Sequence, residues 1–180
     1  MATVHEIEQS LFSWAPRESA MDWDNVGHLV GDPEREVTRV LVALDITERV
    51  AREAIDLGAQ LIVSHHPVMN VRWHEREMQT LRSDTRLGGL LTMLVKNDVS
   101  AICMHTNLDA ADGGVNDCLA KKLGLNDVFS LNDEKIGRIG TLSCEKGLEE
   151  FLRDVIESLG CGGLRYRSGS GRVHRVAVGG

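Results

Sequence analysis

Three short apolar runs alternate with stretches of helical spacing, and this alternation limits the fold more than any other feature. The runs are Val40 to Leu44, Leu61 to Val63 and Val99 to Met104. Leu61 to Val63 is short, β-branched and without helical period, as expected of a buried strand. After the first run, Thr47 is placed to cap a helix reaching about Leu57, with Gly58 at its C-terminal end. Further helices are predicted over Leu87 to Asn97 and over Gly113 to Leu123, the latter ending at Gly124. Strand, helix, strand, helix, strand, helix is the signature of βαβ units with right-handed crossovers. The expected class is therefore α/β, a mainly parallel sheet flanked by helices.

The remaining segments are less regular. Residues 2 to 14 have Val4, Ile7, Leu11 and Trp14 at helical spacing, and Pro16 ends that helix. A turn-rich stretch, Asp22 to Gly27, precedes Leu29-Val30-Gly31. Met69 to Ser83 is polar and receives no element. From Asn126 to Lys135 the composition turns polar, which divides the chain into an α/β part, 1–128, and a second part, 129–180. Its predicted elements are a strand over Ile136 to Ser143, a helix over Leu148 to Leu159, and strands over Tyr166 to Ser170 and Val173 to Val178.

A chain of 180 residues can bury roughly 70% of its unfolded surface, enough for a core without disulfides. The net charge of −7 argues against nucleic acid as a partner, since gripping phosphates takes a basic face. No run approaches the roughly 20 apolar residues of a membrane span, so no membrane association is expected. The first residues lack the basic start and apolar core of a signal peptide, and a cytoplasmic protein is expected. Cys103, Cys118, Cys144 and Cys161 form no C-x-x-C pair, which disfavours a cysteine zinc site. Cys103, inside an apolar run, reads as a small core residue.

Chemistry concentrates at two strand ends. Ser64-His65-His66-Pro67 follows the second run, and His105-Thr106-Asn107-Leu108-Asp109 follows the third. In a parallel sheet the carboxyl ends of strands are where ligands bind. Adjacent residues of a strand point to opposite faces, so both histidines reach one site only if the chain bends there, as Pro67 suggests. Imidazole and carboxylate donors together suit zinc, manganese, iron or nickel. The contrary reading is a surface loop carrying histidines, with His105 ending a strand and Asp109 capping the next helix.

These blocks, in order, resemble the Nif-three-like dinuclear-metal-centre family, the GTP cyclohydrolase 1 type 2 homologues. The matching stretches are Trp23-Asp24-Asn25-Val26-Gly27, Leu29-Val30-Gly31-Asp32-Pro33, Val42-Ala43-Leu44-Asp45-Ile46-Thr47, Ser64-His65-His66-Pro67 and His105 to Ala111. Gly113-Gly114-Val115-Asn116-Asp117 and Gly137-Arg138-Ile139-Gly140 complete them. The resemblance implies two related halves, with 1–128 a metal-binding α/β domain and 129–180 the incomplete start of a second α/β half, a homo-oligomer in the form of a hexameric ring, and a two-metal site. It implies His65 and His66 as metal ligands and Asp109 as a bridging carboxylate. His105 falls beside that site, as a ligand or as the catalytic proton carrier. Asp45 either orients a ligand histidine or caps the helix after Thr47. The family completes its site with a later His-x-x-x-Glu pattern, which this chain lacks, so a truncated, incomplete site is expected. His5, His28, His74 and His174 are poor substitutes.

Two functions follow. One is a metal-dependent hydrolase of a nucleotide-like or other phosphate-bearing small molecule. The other is a metal-binding oligomeric scaffold or regulatory partner without turnover. Single loops are ambiguous: Asp24-Asn25-Val26-Gly27 reads as a tight turn before a substrate loop. Asp112-Gly113-Gly114 reads as a helix start before a phosphate site. Arg72-Trp73-His74-Glu75-Arg76 reads as a solvated loop before a lid.

Overall fold

Residues 1–69, 80–169 and 171–180 are described by the computed structural model, in two units, Met1–Leu108 and Asp109–Gly180. The segment read as a loop or lid, Arg72 to Arg76, lies outside the described residues.

The first unit opens with β1 (Ala2–Thr3) and α1 (Val4–Trp14). Thr3 accepts from the Glu6 amide while the Glu6 carboxylate accepts from the Thr3 amide. This reciprocal cap satisfies two donors that a helix start leaves open. There follow β2 (Gly27–Val30), β3 (Glu36–Val37), which pairs antiparallel with β1, and β4 (Val40–Ala43). Thr47 caps α2 (Glu48–Asp56) by accepting from the Val50 amide, and Gly58 leaves the helix at φ 63°. Next come β5 (Leu61–Ser64), α3 (Arg86–Lys96), β6 (Ser100–Cys103) and the short α4 (Thr106–Ala110).

The main sheet has the order β2-β6-β5-β4, and both the β4–β5 and β5–β6 pairs are parallel. The expected parallel core is present. Beside it β2 runs antiparallel to β6; Gly27 was read as the end of a turn-rich stretch, and Leu29 and Val30 received no element. Gly27 starts this strand at φ 107°, a conformation that favours glycine, and a Cβ there would meet Glu8 Oε1 at 2.9 Å.

Side-chain alternation sets the packing. Leu41, Ile62 and Ala101 are neighbours in register and pack with Ala51 and Ala54 of α2 and Leu91 and Leu94 of α3. Ile62 and Leu94 are fully buried, and truncating either to alanine should cost about 3 kcal/mol. On β4 the alternate residues Val40 and Val42, like Leu44 just beyond it, are exposed, Val42 to 77%.

The second unit contains α5 (Val115–Lys122), β7 (Asn126–Ser130), β8 (Arg138–Gly147), α6 (Leu148–Leu159) and β9 (Arg172–Val178). Its antiparallel sheet has the order β7-β8-β9. Ala120, Leu125 and Leu142 form its core, with Phe151 of α6 and Val173 and Val176 of β9 against them. The unit starts at Asp109, earlier than the composition change near Asn126, because α5 packs on β8 and β9. The helix expected over Leu148 to Leu159 is α6 itself, closed by Gly160 in the left-handed region. The strand expected from Tyr166 is not formed: residues 166–169 have no regular structure. Conversely β7 lies in the stretch read as a polar boundary, and all five of its residues are exposed. A strand without a buried face shows no apolar alternation.

Two of the motif blocks meet inside this unit. The guanidinium of Arg138, 3% exposed, pairs with Asp117 and also donates to the carbonyls of Lys135 at 2.8 Å and Ala111 at 3.2 Å. Burial works against the Asp117 charge, but hydrogen bonds from Arg138 and the Gly113 amide leave its carboxyl below the usual range. The Gly113 amide is thus committed to Asp117 at 2.6 Å, which supports the helix-start reading of Asp112-Gly113-Gly114.

Candidate metal centre

Strand β5 delivers the histidine pair, and the chain bends at His65 and His66. Pairing with β4 outlasts the strand: His65 donates its amide to Ala43 O at 3.2 Å and His66 to Leu44 O at 2.9 Å. Ser64 Oγ donates to His66 O at 2.8 Å and tightens the bend. The two rings lie on one side, centroids 5.0 Å apart. Strand β6 delivers the third ring: His105 lies 5.0 Å from His65 and 5.5 Å from His66, centroid to centroid. One ring nitrogen from each of the three lies within 4.8 Å of the others. The sequence places His65, His66, His105 and Asp109 at one sheet edge and leaves His105 as ligand or proton carrier; the three rings are the members that converge. Asp109 is buried, 4% exposed, at the start of the second unit, where its backbone carbonyl accepts from Asn116 Nδ2 at 3.0 Å.

Each ring is fixed through Nδ1. That of His65 is 3.1 Å from the Met104 carbonyl. That of His66 is 2.8 Å from Asp45 Oδ1. That of His105 is 2.9 Å from both oxygens of Asp24. Carbonyl and carboxylate oxygens only accept, so Nδ1 is the donor in each ring, and in the neutral form of the ring Nε2 carries the lone pair. Convergent imidazoles held this way fit a borderline divalent cation such as zinc, manganese, iron or nickel.

Asp45 therefore orients a histidine, one of the two roles read for it. Asp24 is the residue the sequence reading missed. Its side chain is fully buried and accepts from His105, from Thr106 N at 3.0 Å, from Thr106 Oγ1 at 2.5 Å and from the Asn25 amide at 2.7 Å. Burial alone would raise its pKa, but the hydrogen bonds from His105, Thr106 and Asn25 outweigh it and hold the carboxyl at about 2. Asn25 Nδ2 reaches Met69 O at 2.8 Å, so the loop is tied to the chain beyond the histidine pair as well. Trp23, 38% exposed, sets its ring edge-on to His105 at 6.1 Å. The stretch read as a tight turn is a wall of the site. Its sequence signals were its place among the family-like blocks and its density of Asp, Asn and aromatic residues.

Other candidates resolve simply. Cys103 is buried, its Sγ donates to His65 O at 3.1 Å, and burial, aided by the Asp24 charge, pushes its thiol pKa far up. It is a core residue, as expected. His28 turns its Nε2 onto Val30 O of its own strand at 2.8 Å. His74 lies outside the described residues. Among the described residues no helix is long and apolar enough to cross a membrane.

The parallel strands β5 and β6 thus end in three converging imidazoles. The family model Duf34/NIF3 (NGG1p interacting factor 3) matches residues 2–180, and the chain belongs to this family. A GTP cyclohydrolase 1 type 2 homolog of Clostridium perfringens is 40% identical over 169 residues, covering 91% of this chain and 63% of that protein. One from Streptomyces coelicolor is 41% identical over 131 residues, 73% of this chain and 44% of that protein. A hypothetical protein of Staphylococcus aureus, solved by crystallography, has TM-score 0.88 and 28% identity, covering 99% of this chain and 71% of that one. Reduced HcgD from Methanocaldococcus jannaschii has TM-score 0.74 and 30% identity, covering 87% and 60%. The chain thus spans less than two thirds of the length of these curated relatives.

Proposed function

We propose that this chain binds a divalent metal ion through His65, His66 and His105, and that the ion serves hydrolysis of a nucleotide-like or phosphate-bearing small molecule. The observation that carries the metal reading is the approach of three ring nitrogens to within 4.8 Å, each ring held through Nδ1. A divalent ion there would supply Lewis acidity and activate water. The protein's part is to hold Met104 O, Asp45 and Asp24 against the three rings so that Nε2 is the ligating atom. Asp109 as a further, bridging ligand rests on the family resemblance, as does assembly into a hexameric ring. The names of the relatives support cyclohydrolase-type chemistry, although a name or a fold does not determine a reaction.

Isothermal titration with zinc and with manganese tests the metal reading, repeated on His65→Ala and Asp109→Ala. Saturable binding lost in His65→Ala supports it, and an isotherm unchanged by His65→Ala removes it. An unchanged isotherm in Asp109→Ala removes only that residue. Turnover of GTP and of simple phosphodiesters by the loaded protein separates the hydrolase from the scaffold: metal binding without turnover assigns the chain to the second class.

A further inference from the structure

The loop Met21–Val26 is bound to the β6 end by contacts that converge on one side chain. Asp24 accepts from the His105 ring, from the Thr106 amide, from the Thr106 hydroxyl and from the amide of its own neighbour Asn25. Thr106 returns the contact, its Oγ1 accepting from the Met21 amide at 2.9 Å. The loop thus closes on the first turn of α4 from both ends, with the carboxylate between.

We infer that Asp24 is a positioning residue for the metal centre: it fixes His105 in the Nδ1–H tautomer and aims Nε2 at the point where His65 and His66 converge. The inference rests on the metal reading above, and it is more specific than that reading. A ring held by one oxygen can pivot about that contact. His105 has both carboxylate oxygens at 2.9 Å, and one of these is itself held by Thr106 N and Oγ1. Rotation of the ring or of the carboxylate breaks several hydrogen bonds together. A buried carboxylate is also the strongest acceptor available for an imidazole N–H. Asp24→Asn keeps the shape but places an NH2 group where one oxygen accepted. That group meets N–H and O–H donors from His105 and Thr106 and cannot satisfy them. The ring is then released or driven to the other tautomer.

Two measurements decide it. Nitrogen-15 spectra of the imidazoles in the metal-free wild type should show neutral His105 protonated at Nδ1, and the Nε2–H form would overturn the inference. Zinc titration of Asp24→Asn should show affinity weakened by about 10- to 100-fold, with thermal unfolding recorded alongside. Affinity within about twofold of wild type overturns it. If Asp24→Asn does not fold, Thr106→Val, which removes the hydroxyl that donates to Asp24 and accepts from the Met21 amide but keeps the Thr106 amide contact, should still loosen zinc binding, and its failure to do so overturns the inference. Failure of the wild type to bind zinc sinks the metal reading instead, and the tautomer spectrum still judges Asp24.

Discussion

Two carboxylates hold two of the three imidazoles at nearly the same distance, 2.8 Å for Asp45 and His66 and 2.9 Å for Asp24 and His105. Their surroundings are opposite. The side chains of Asp45 and His66 are 54% and 45% exposed, those of Asp24 and His105 0% and 11%. Water competes for the first pair and screens it, so its geometry is worth little on its own. The second pair has lost its water, and each donor around Asp24 depends on it. Distance does not rank such contacts; the number of groups that would be left without a partner does.

The largest effect should come from Asp24→Ala. It strands the His105 N–H and two Thr106 donors in a buried place, and the expected loss is about 3 kcal/mol in urea unfolding. A loss under about 1 kcal/mol would place Asp24 in the same class as Asp45 and end the contrast. Acid is the next test. In the folded chain the hydrogen bonds from His105, Thr106 and Asn25 hold this carboxyl down to about 2, below the usual carboxylate range. Asp24 therefore contributes about 2 kcal/mol above the ordinary carboxylate range, and this is lost as pH falls from near 4 towards 2. Wild type should lose more stability across that window than Asp24→Asn, and parallel pH profiles would contradict the assignment. The smallest effect belongs to Asp45→Asn. Stability should change by no more than about 0.5 kcal/mol, and any difference should shrink further in high salt. A cost above about 2 kcal/mol would show that the exposed pair is not solvent-screened after all.

The histidine triplet was partly legible in the sequence because its members sit at strand ends. Once Leu61 to Val63 and Val99 to Met104 are parallel neighbours, His65, His66 and His105 must meet at one edge. The carboxylate behind His105 was not legible, because Asp24 lies in a loop with no periodicity and its use depends on tertiary docking. Asp45 was easier to read, one residue past the first apolar run. The same logic separates the two sheets. The core of the first unit, with Ile62 and Ala101 buried, carried a clear apolar signal. β2 follows a turn and β7 is exposed throughout, and neither carried one. Likewise the blocks around Asp117 and Arg138 were recognisable as motifs, but only the fold shows that they are the two ends of one buried ion pair.

The spacing along the chain of the groups that lock the imidazoles also orders the site in time. Asp45 reaches His66 across 21 residues, Met104 reaches His65 across 39, and Asp24 reaches His105 across 81. Contacts between distant residues must close the longest loops and tend to be the slow ones. During refolding, then, the histidine pair should be oriented before its third member. The three-ring cluster would be assembled in steps, the last of them reporting that the first unit has closed from end to end.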